Sequence, residues 1–351
     1  MWIRGLGCSF PAPSVDQPDA ADQVCRLLPF PDPEQKRLRA VFRRTGVKKR
    51  HSVQVSPDGT FALYPSARDL DDRGPTTEER LAWYEREAGP LAVRAAEAAI
   101  GEAGVDPASF THLTTVSCTG FAAPGVDADL AGALGLPAGL SRTHIGFVGC
   151  HGALTGLRTA RAFAESGGRA LMVAVELCSL HFQYPWSFDN VVANALFADG
   201  AAAVVAEPGT GPWTVAACGS HVFPDSREAM TWNVTDHGFT LTLSPKVPSL
   251  IETGLRPWVE EFLGAQGLAL GDVRSFAVHP GGPKILDSVE EALSMPPDSL
   301  AVSRKVLAEY GNMSSPTVLV ILERMRRRDA PLPCLALAFG PGLTAEAALI
   351  I

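Results

Sequence analysis

The run Ala170-Leu-Met-Val-Ala-Val-Glu176 is almost wholly apolar. That is the pattern of a central strand covered on both faces. A shorter apolar run, 145–148, reads as the end of a second buried strand. Past it the period changes: Leu154, Leu157, Ala160 and Phe163 recur at helical spacing, which predicts a helix over 151–166 closed by Gly167-Gly168. Upstream, the pattern predicts a strand over 2–8, a Pro- and Asp-rich loop over 11–22, and a helix from Asp32-Pro33 to about 44. Irregular chain follows over 53–73. Thr76/Thr77-Glu-Glu then opens a helix to about 101, whose Ala92, Ala95, Ala96 and Ala99 face permits close packing. A strand over 111–116 and a short helix over 127–134 complete this part. Downstream of 176 come an aromatic-rich loop over 182–190, a turn at Asp199-Gly200, and another apolar strand ending at 206.

The second half of the chain repeats this order. The end of a helix at 258–263, a strand at 275–278 and the loop His279-Pro-Gly-Gly answer 98–104, 111–116 and Ser117-Cys-Thr-Gly. The apolar strand at 334–339 answers 170–176, and 208–212 reads as a connector. The expected organisation is therefore a tandem duplication, 1–207 and 208–351, of an α/β unit whose halves stack as helix, sheet and helix layers. The length, 351 residues, suits two such units.

Composition narrows the function classes. The net charge is −8, which argues against a nucleic-acid binder. There is no run of 18 apolar residues and no basic, then apolar, leader, so neither membrane association nor secretion is expected. The seven cysteines are scattered and include no CxxC, which fits a reducing cytoplasm and no structural zinc. One segment reverses the overall sign: Lys36, Arg37, Arg39, Arg43, Arg44, Lys48, Lys49 and Arg50 crowd a short span. It is either a solvated helix face or an anion site suited to a phosphorylated group such as that of coenzyme A.

Candidate chemistry centres on Cys150. A cysteine in the bend between a strand and a helix faces unpaired backbone N–H groups and the positive helix end, and both favour the thiolate. An apolar-flanked cysteine is, however, commonly an inert core residue. Two later stretches supply partners for a nucleophile. His279 stands where a buried strand meets a Gly/Pro loop, and Asn312 stands on a Gly-led turn before a helix over 317–328. A Cys, His and Asn set serves hydrolases as well as acyl transfer, so residue types alone do not name the reaction.

The stretches VGCHGAL, LMVAVELCSLHF, ALFADGAAAVV, FAVHPGGPKIL, YGNMSSPTVL and FGPGLT, in that order and spacing, resemble the type III polyketide synthases, the chalcone-synthase-like branch of the thiolase superfamily. The resemblance implies a thiolase-like, duplicated αβαβα five-layer fold and iterative decarboxylative condensation of malonyl-CoA onto an acyl-CoA starter, followed by cyclisation to a phenolic or pyrone product. No cofactor is implied beyond the coenzyme A thioesters, and a homodimer is.

By the same resemblance Cys150 matches the acyl-accepting nucleophile, held as a thiolate by a His279 imidazolium, and Asn312 the catalytic asparagine. Phe197 matches a gatekeeper phenylalanine. The second gatekeeper position falls on Leu241, a departure. Cys118, Cys178, Ser314 and Gly340 match cavity-lining positions. Arg44 and Arg37 match coenzyme A phosphate ligands, with Arg39 beside a third basic position that falls on Ala40. The family's cross-dimer methionine falls on Ala123, and His151 is an unusual residue to follow the nucleophile. Three rivals stay open: a ketoacyl synthase III making one condensation on an acyl carrier protein, a catalytically silent partner subunit, and a Cys-His-Asn hydrolase.

Overall fold

The computed structural model describes residues 1–351. Two mixed sheets form its frame. The first has the order Trp2–Ser9, Asp199–Glu207, Ala170–Leu177, His112–Ser117, Ser141–Gly146. The second runs Val215–Val222, Thr344–Ile350, Cys334–Gly340, Ser275–Val278. Strand for strand, the second repeats the first four positions, and in both the pair that includes the central apolar strand is parallel on one side and antiparallel on the other.

Five layers follow from which way the strand residues point. In Ala170–Leu177 the odd residues Leu171, Val173 and Val175 join an outer core with the alanine face of helix Thr77–Ala103. Its even residues Met172 and Ala174 join a middle core built on helices Gly152–Glu165 and Pro316–Arg326. In the second sheet, Ala336 and Ala338 face the same middle helices, while Leu335 and Leu337 face the outer helices Val247–Gly264 and Pro283–Leu293. Both central strands are thus apolar on both faces, as their composition requires. The alanine face matters for distance. A Cβ on Gly5 or Gly7 would overlap the backbone carbonyls of Ala99 and Ala95, so this helix and the first strand meet at backbone contact.

Four local expectations differ from the structure. Residues 11–22 are not all loop: Ser14–Asp16 is a strand and Gln17–Leu27 a helix. Its Pro18 occupies the first turn, where a proline costs no hydrogen bond. The aromatic loop ends at Ser187, whose hydroxyl accepts from Asn190 N and starts the helix Phe188–Leu196. Asp199 opens a strand instead of a turn, its carboxylate accepting from Ser179 N and Val53 N. The strand before Cys150 is a half-exposed edge strand, Ser141–Gly146, and ends before Phe147. Its polar start, Ser141-Arg-Thr-His, fits an edge better than a centre. A hairpin, Met230–Thr235 with Gly238–Leu243, was not anticipated at all.

Candidate active site

Cys150 is delivered by a strained turn. Phe147 and Gly149 have φ of 56° and 72°, and a Cβ at 149 would overlap Pro341 Cδ, so glycine is required there. The tight turn Gly149–His151 then leads into the helix Gly152–Glu165. The Ser314 and Asn312 side chains favour the Cys150 thiolate and pull its pKa down. Burial works against them and wins, pushing the thiol up to about 11.

His279 follows the last residue of strand Ser275–Val278, and its N–H donates to Leu337 O. The ring is 1% exposed and neither nitrogen has a hydrogen-bond partner. Burial drives its pKa down to about 3. Burial thus opposes each half of the thiolate–imidazolium pair taken alone. A surround poor in water penalises an isolated charge on either group, and the charges could form only together.

Asn312 is set by its own backbone. Its N donates to Leu196 O (2.8 Å) and its O accepts from Ala198 N (2.9 Å), clasping the chain on both sides of Phe197. Its Oδ1 accepts from Ser314 N at 2.8 Å, and Nδ2 lies 3.5 Å from Gly281 O, two residues after His279. That long contact leaves the amide N–H available to a substrate oxygen.

Cys150 borders a cavity lined also by Cys118, Cys178, Phe197, Leu241 and Ser314, as expected, and by Met230, Trp232 and Pro341; His279 and Asn312 do not form its wall. The space open to the centre of a water molecule is about 30 Å³, room for roughly two waters. Gly340 does not line it: it packs against the His151 ring, and its neighbour Pro341 takes the lining place. His151 itself is buried, with Nδ1 3.2 Å from Thr155 Oγ1, and burial lowers its pKa to about 4, so it sits as a neutral packing group. The position of Ala123 precedes a cis proline and offers no long side chain.

Three residues that sequence reading missed shape this cavity. Trp232 donates its Nε1–H to Cys118 O at 2.8 Å. His181 joins the hairpin to the same wall: Nε2 meets Thr119 O at 2.7 Å, and Nδ1 accepts from Phe239 N at 3.0 Å. These partners assign the Nε2–H tautomer. Glu176, fully buried, accepts from Cys118 N, Cys118 Sγ, Thr119 Oγ1 and Ser315 Oγ, which ties the two sides of the cavity together. The alternation of Thr-Trp-Asn-Val-Thr around Asp-His-Gly is a hairpin signal that would have found Trp232.

Of the basic residues, Arg37 and Arg44 lie seven apart on helix Asp32–Arg44, hence on one side of it, and both are exposed. Arg39 is engaged elsewhere, its Nε donating to Asp22 Oδ1 at 2.9 Å, because Asp22 faces it from the helix that sequence reading took for loop. No helix of the structure is long and apolar enough to cross a membrane.

Comparison with known proteins covers the whole chain. The profile of the chalcone and stilbene synthases, N-terminal domain, matches residues 2–212, and that of the C-terminal domain matches 215–351. The chain is 33% identical to the alpha-pyrone synthesis polyketide synthase-like Pks18 of Mycobacterium tuberculosis, over 99% of this chain and 90% of that one. It is 34% identical to the 1,3,6,8-tetrahydroxynaphthalene synthase of Streptomyces peucetius, over 99% and 92%. The crystal structure of PKS-I from the brown alga Ectocarpus siliculosus superposes with a TM-score of 0.92 at 29% identity, over 99% of this chain and 97% of that one. The duplicated five-layer frame, the Cys150 turn and these matches together make the chain a member of the chalcone and stilbene synthase family, a type III polyketide synthase that transfers acyl groups between coenzyme A thioesters.

Proposed function

We propose that Cys150 carries the growing chain, that His279 moves its proton, and that His279 and Asn312 together hold the thioester oxygen of malonyl-CoA. The observation that carries this reading is the buried, unpartnered His279 ring, two residues before the Gly281 carbonyl that Asn312 Nδ2 faces, with Asn312 and Ser314 both acting on Cys150 in the cavity wall. Burial disfavours either charge alone, so in this reading loading starts from the thiol and neutral imidazole and moves a proton. Cys150 Sγ attacks the acyl thioester carbonyl as its proton passes to His279. The tetrahedral adduct then expels the coenzyme A thiolate, which takes the proton back and leaves as the free thiol. In extension, carbon dioxide leaves malonyl-CoA and its bonding pair becomes an enolate. The enolate oxygen accepts from Asn312 Nδ2–H and from a His279 N–H, and its carbon displaces Cys150 from the acyl group. A dry pocket favours loss of the poorly solvated carboxylate.

A small starter and a compact cyclised product, a pyrone or a small phenol, fit the narrow cavity. Trp232 closes it, edge-on to Phe197 at 5.9 Å. Trp232→Ala should release this limit: with an unchanged starter panel, mass spectrometry should find products carrying one or more additional malonyl-derived units. An unchanged product spectrum would mean that the wall lies elsewhere.

Arg37 and Arg44 are the coenzyme A phosphate ligands in this reading, and Arg39, held by Asp22, is a poorer one. The seven unpaired thiols suit a reducing cytoplasm. A homodimer is supported by the edge strand Ser141–Gly146, which has one sheet neighbour, and by Phe121 and Phe147 beside it, 52% and 41% exposed. An edge and an apolar patch of this kind can meet their own copies across a two-fold axis. Light scattering should give twice the chain mass, and Phe147→Asp should shift the protein toward monomer; a monomeric parent protein removes this part of the reading.

A further inference from the structure

Arg50 is 7% exposed and has no carboxylate hydrogen-bonded to it. Its guanidinium lies 5.5 Å from the Phe42 ring centroid. Burial lowers its pKa to about 10, which leaves it a cation at neutral pH. The Asp199 carboxylate lies near enough to favour the cation but is not hydrogen-bonded to it; a buried charge is costly, so what it touches matters.

Arg50 donates from Nη1 to Asn194 O (2.6 Å) and to Phe197 O (3.0 Å), at the C-terminal end of helix Phe188–Leu196. The carbonyls between them are also taken. Ala195 O accepts from Gln17 Nε2 at 2.7 Å, and Leu196 O accepts from Asn312 N. All the terminal carbonyls of this helix, which no further turn can satisfy, therefore have partners. The cation also sits at the negative end of the helix. Two of the four partners come from one side chain, and another is the backbone of Asn312.

The same side chain touches the other strand of this junction. A Cβ on Gly311 would come within 3.1 Å of Arg50 Cγ, and Gly311 has φ of 74°. Arg50 thus bears on the chain at Phe197 from one side and on the turn before Asn312 from the other. Its own place is fixed by the strand pair in which Arg50 lies opposite Val15.

We propose that Arg50 is a positioning residue for the condensing reaction: by holding the Phe197 and Asn194 carbonyls it sets the register of the 196–198 segment against Asn312, and through it the aim of the Asn312 amide and the Phe197 ring. This rests on the role given above to Asn312, so the test carries both variants. Arg50→Met keeps the apolar stem and the Phe42 contact and removes both donors. Decarboxylation of malonyl-CoA should fall about tenfold in kcat with KM within twofold, while alkylation of Cys150 by iodoacetamide keeps its parent rate. Products of mixed length should appear as Phe197 loosens. Arg50→Lys, which still offers donors and charge at the helix end, should recover decarboxylation to within about threefold. Should Arg50→Met fail to fold, Arg50→Gln, which can reach only one of the two carbonyls, reads the same split.

The proposal is overturned if a folded Arg50→Met decarboxylates at the parent rate. It is equally overturned if decarboxylation and alkylation fall together with the melting temperature, or if lysine restores nothing. Asn312→Ala run alongside separates the causes. If that variant keeps decarboxylation, the role of Asn312 fails first; if it loses decarboxylation and Arg50→Met does not, only the inference about Arg50 fails.

Discussion

Cys150→Ala should abolish polyketide formation, by on the order of 10³-fold or more, because no other group in the cavity can hold the chain between extensions. Cys118 and Cys178 also line the cavity, but burial raises both thiols well above their usual range, and Cys118 donates its proton to Glu176 at 3.3 Å. Both are also more completely enclosed than Cys150, so neither is expected to be reached by an acyl thioester. Incubation with acyl-CoA should add no mass to the intact variant, where the parent protein gains one acyl group. Carbon dioxide release from malonyl-CoA should persist, because the donors proposed to hold the enolate oxygen, Asn312 Nδ2 and the His279 ring, do not depend on the sulfur. Product from the alanine variant would remove Cys150 from its role. Loss of carbon dioxide release together with product would place the sulfur in both half-reactions.

Asn312→Ala should give the complementary pattern. Removing one preorganised donor from a developing oxyanion costs about 10²–10³ in rate, so malonyl-CoA decarboxylation should drop by that factor while acyl loading on Cys150 survives. The substitution has a structural side that can be measured separately. Ser314 N loses its acceptor, the Asn312 Oδ1 at 2.8 Å, which costs on the order of 1 kcal/mol. The backbone clasp to Leu196 and Ala198 needs no side chain and should remain. A small fall in melting temperature with a large fall in decarboxylation is the expected signature; equal losses in loading and decarboxylation would mean that Asn312 serves only to shape the pocket.

Much of the frame was legible in the chain. The strand at 170–177 carries no polar residue before Glu176, and that alone placed it at the centre of a covered sheet. The duplication was readable because 334–339 and 275–278 repeat the order of 170–176 and 111–116, and the two sheets repeat it in space. The errors have physical causes. Pro18 and the aspartates at 16, 19 and 22 suggested loop, although proline and acidic residues are at home in a first helical turn. The 145–148 run suggested a buried strand end because a short apolar run does not reveal how many neighbours a strand has.

The site divides along the same line. The chain by itself announced Cys150, His279 and Asn312, since a thiol, an imidazole and an amide each stood at a Gly-marked turn beside a strand or helix end, and local backbone geometry is a local property of sequence. It also announced most of the cavity's lining through the family resemblance. What only the tertiary structure decided were the quantities that depend on distance and on water. These are the burial that opposes charge on Cys150 and on His279, the loss of Arg39 to Asp22, the displacement of Gly340 by Pro341, and the closing of the cavity by Trp232 from a hairpin more than eighty residues beyond the nucleophile. Protonation follows from how completely a group is stripped of solvent, and cavity size follows from side chains brought together across the whole fold; neither is written in any single stretch of the chain.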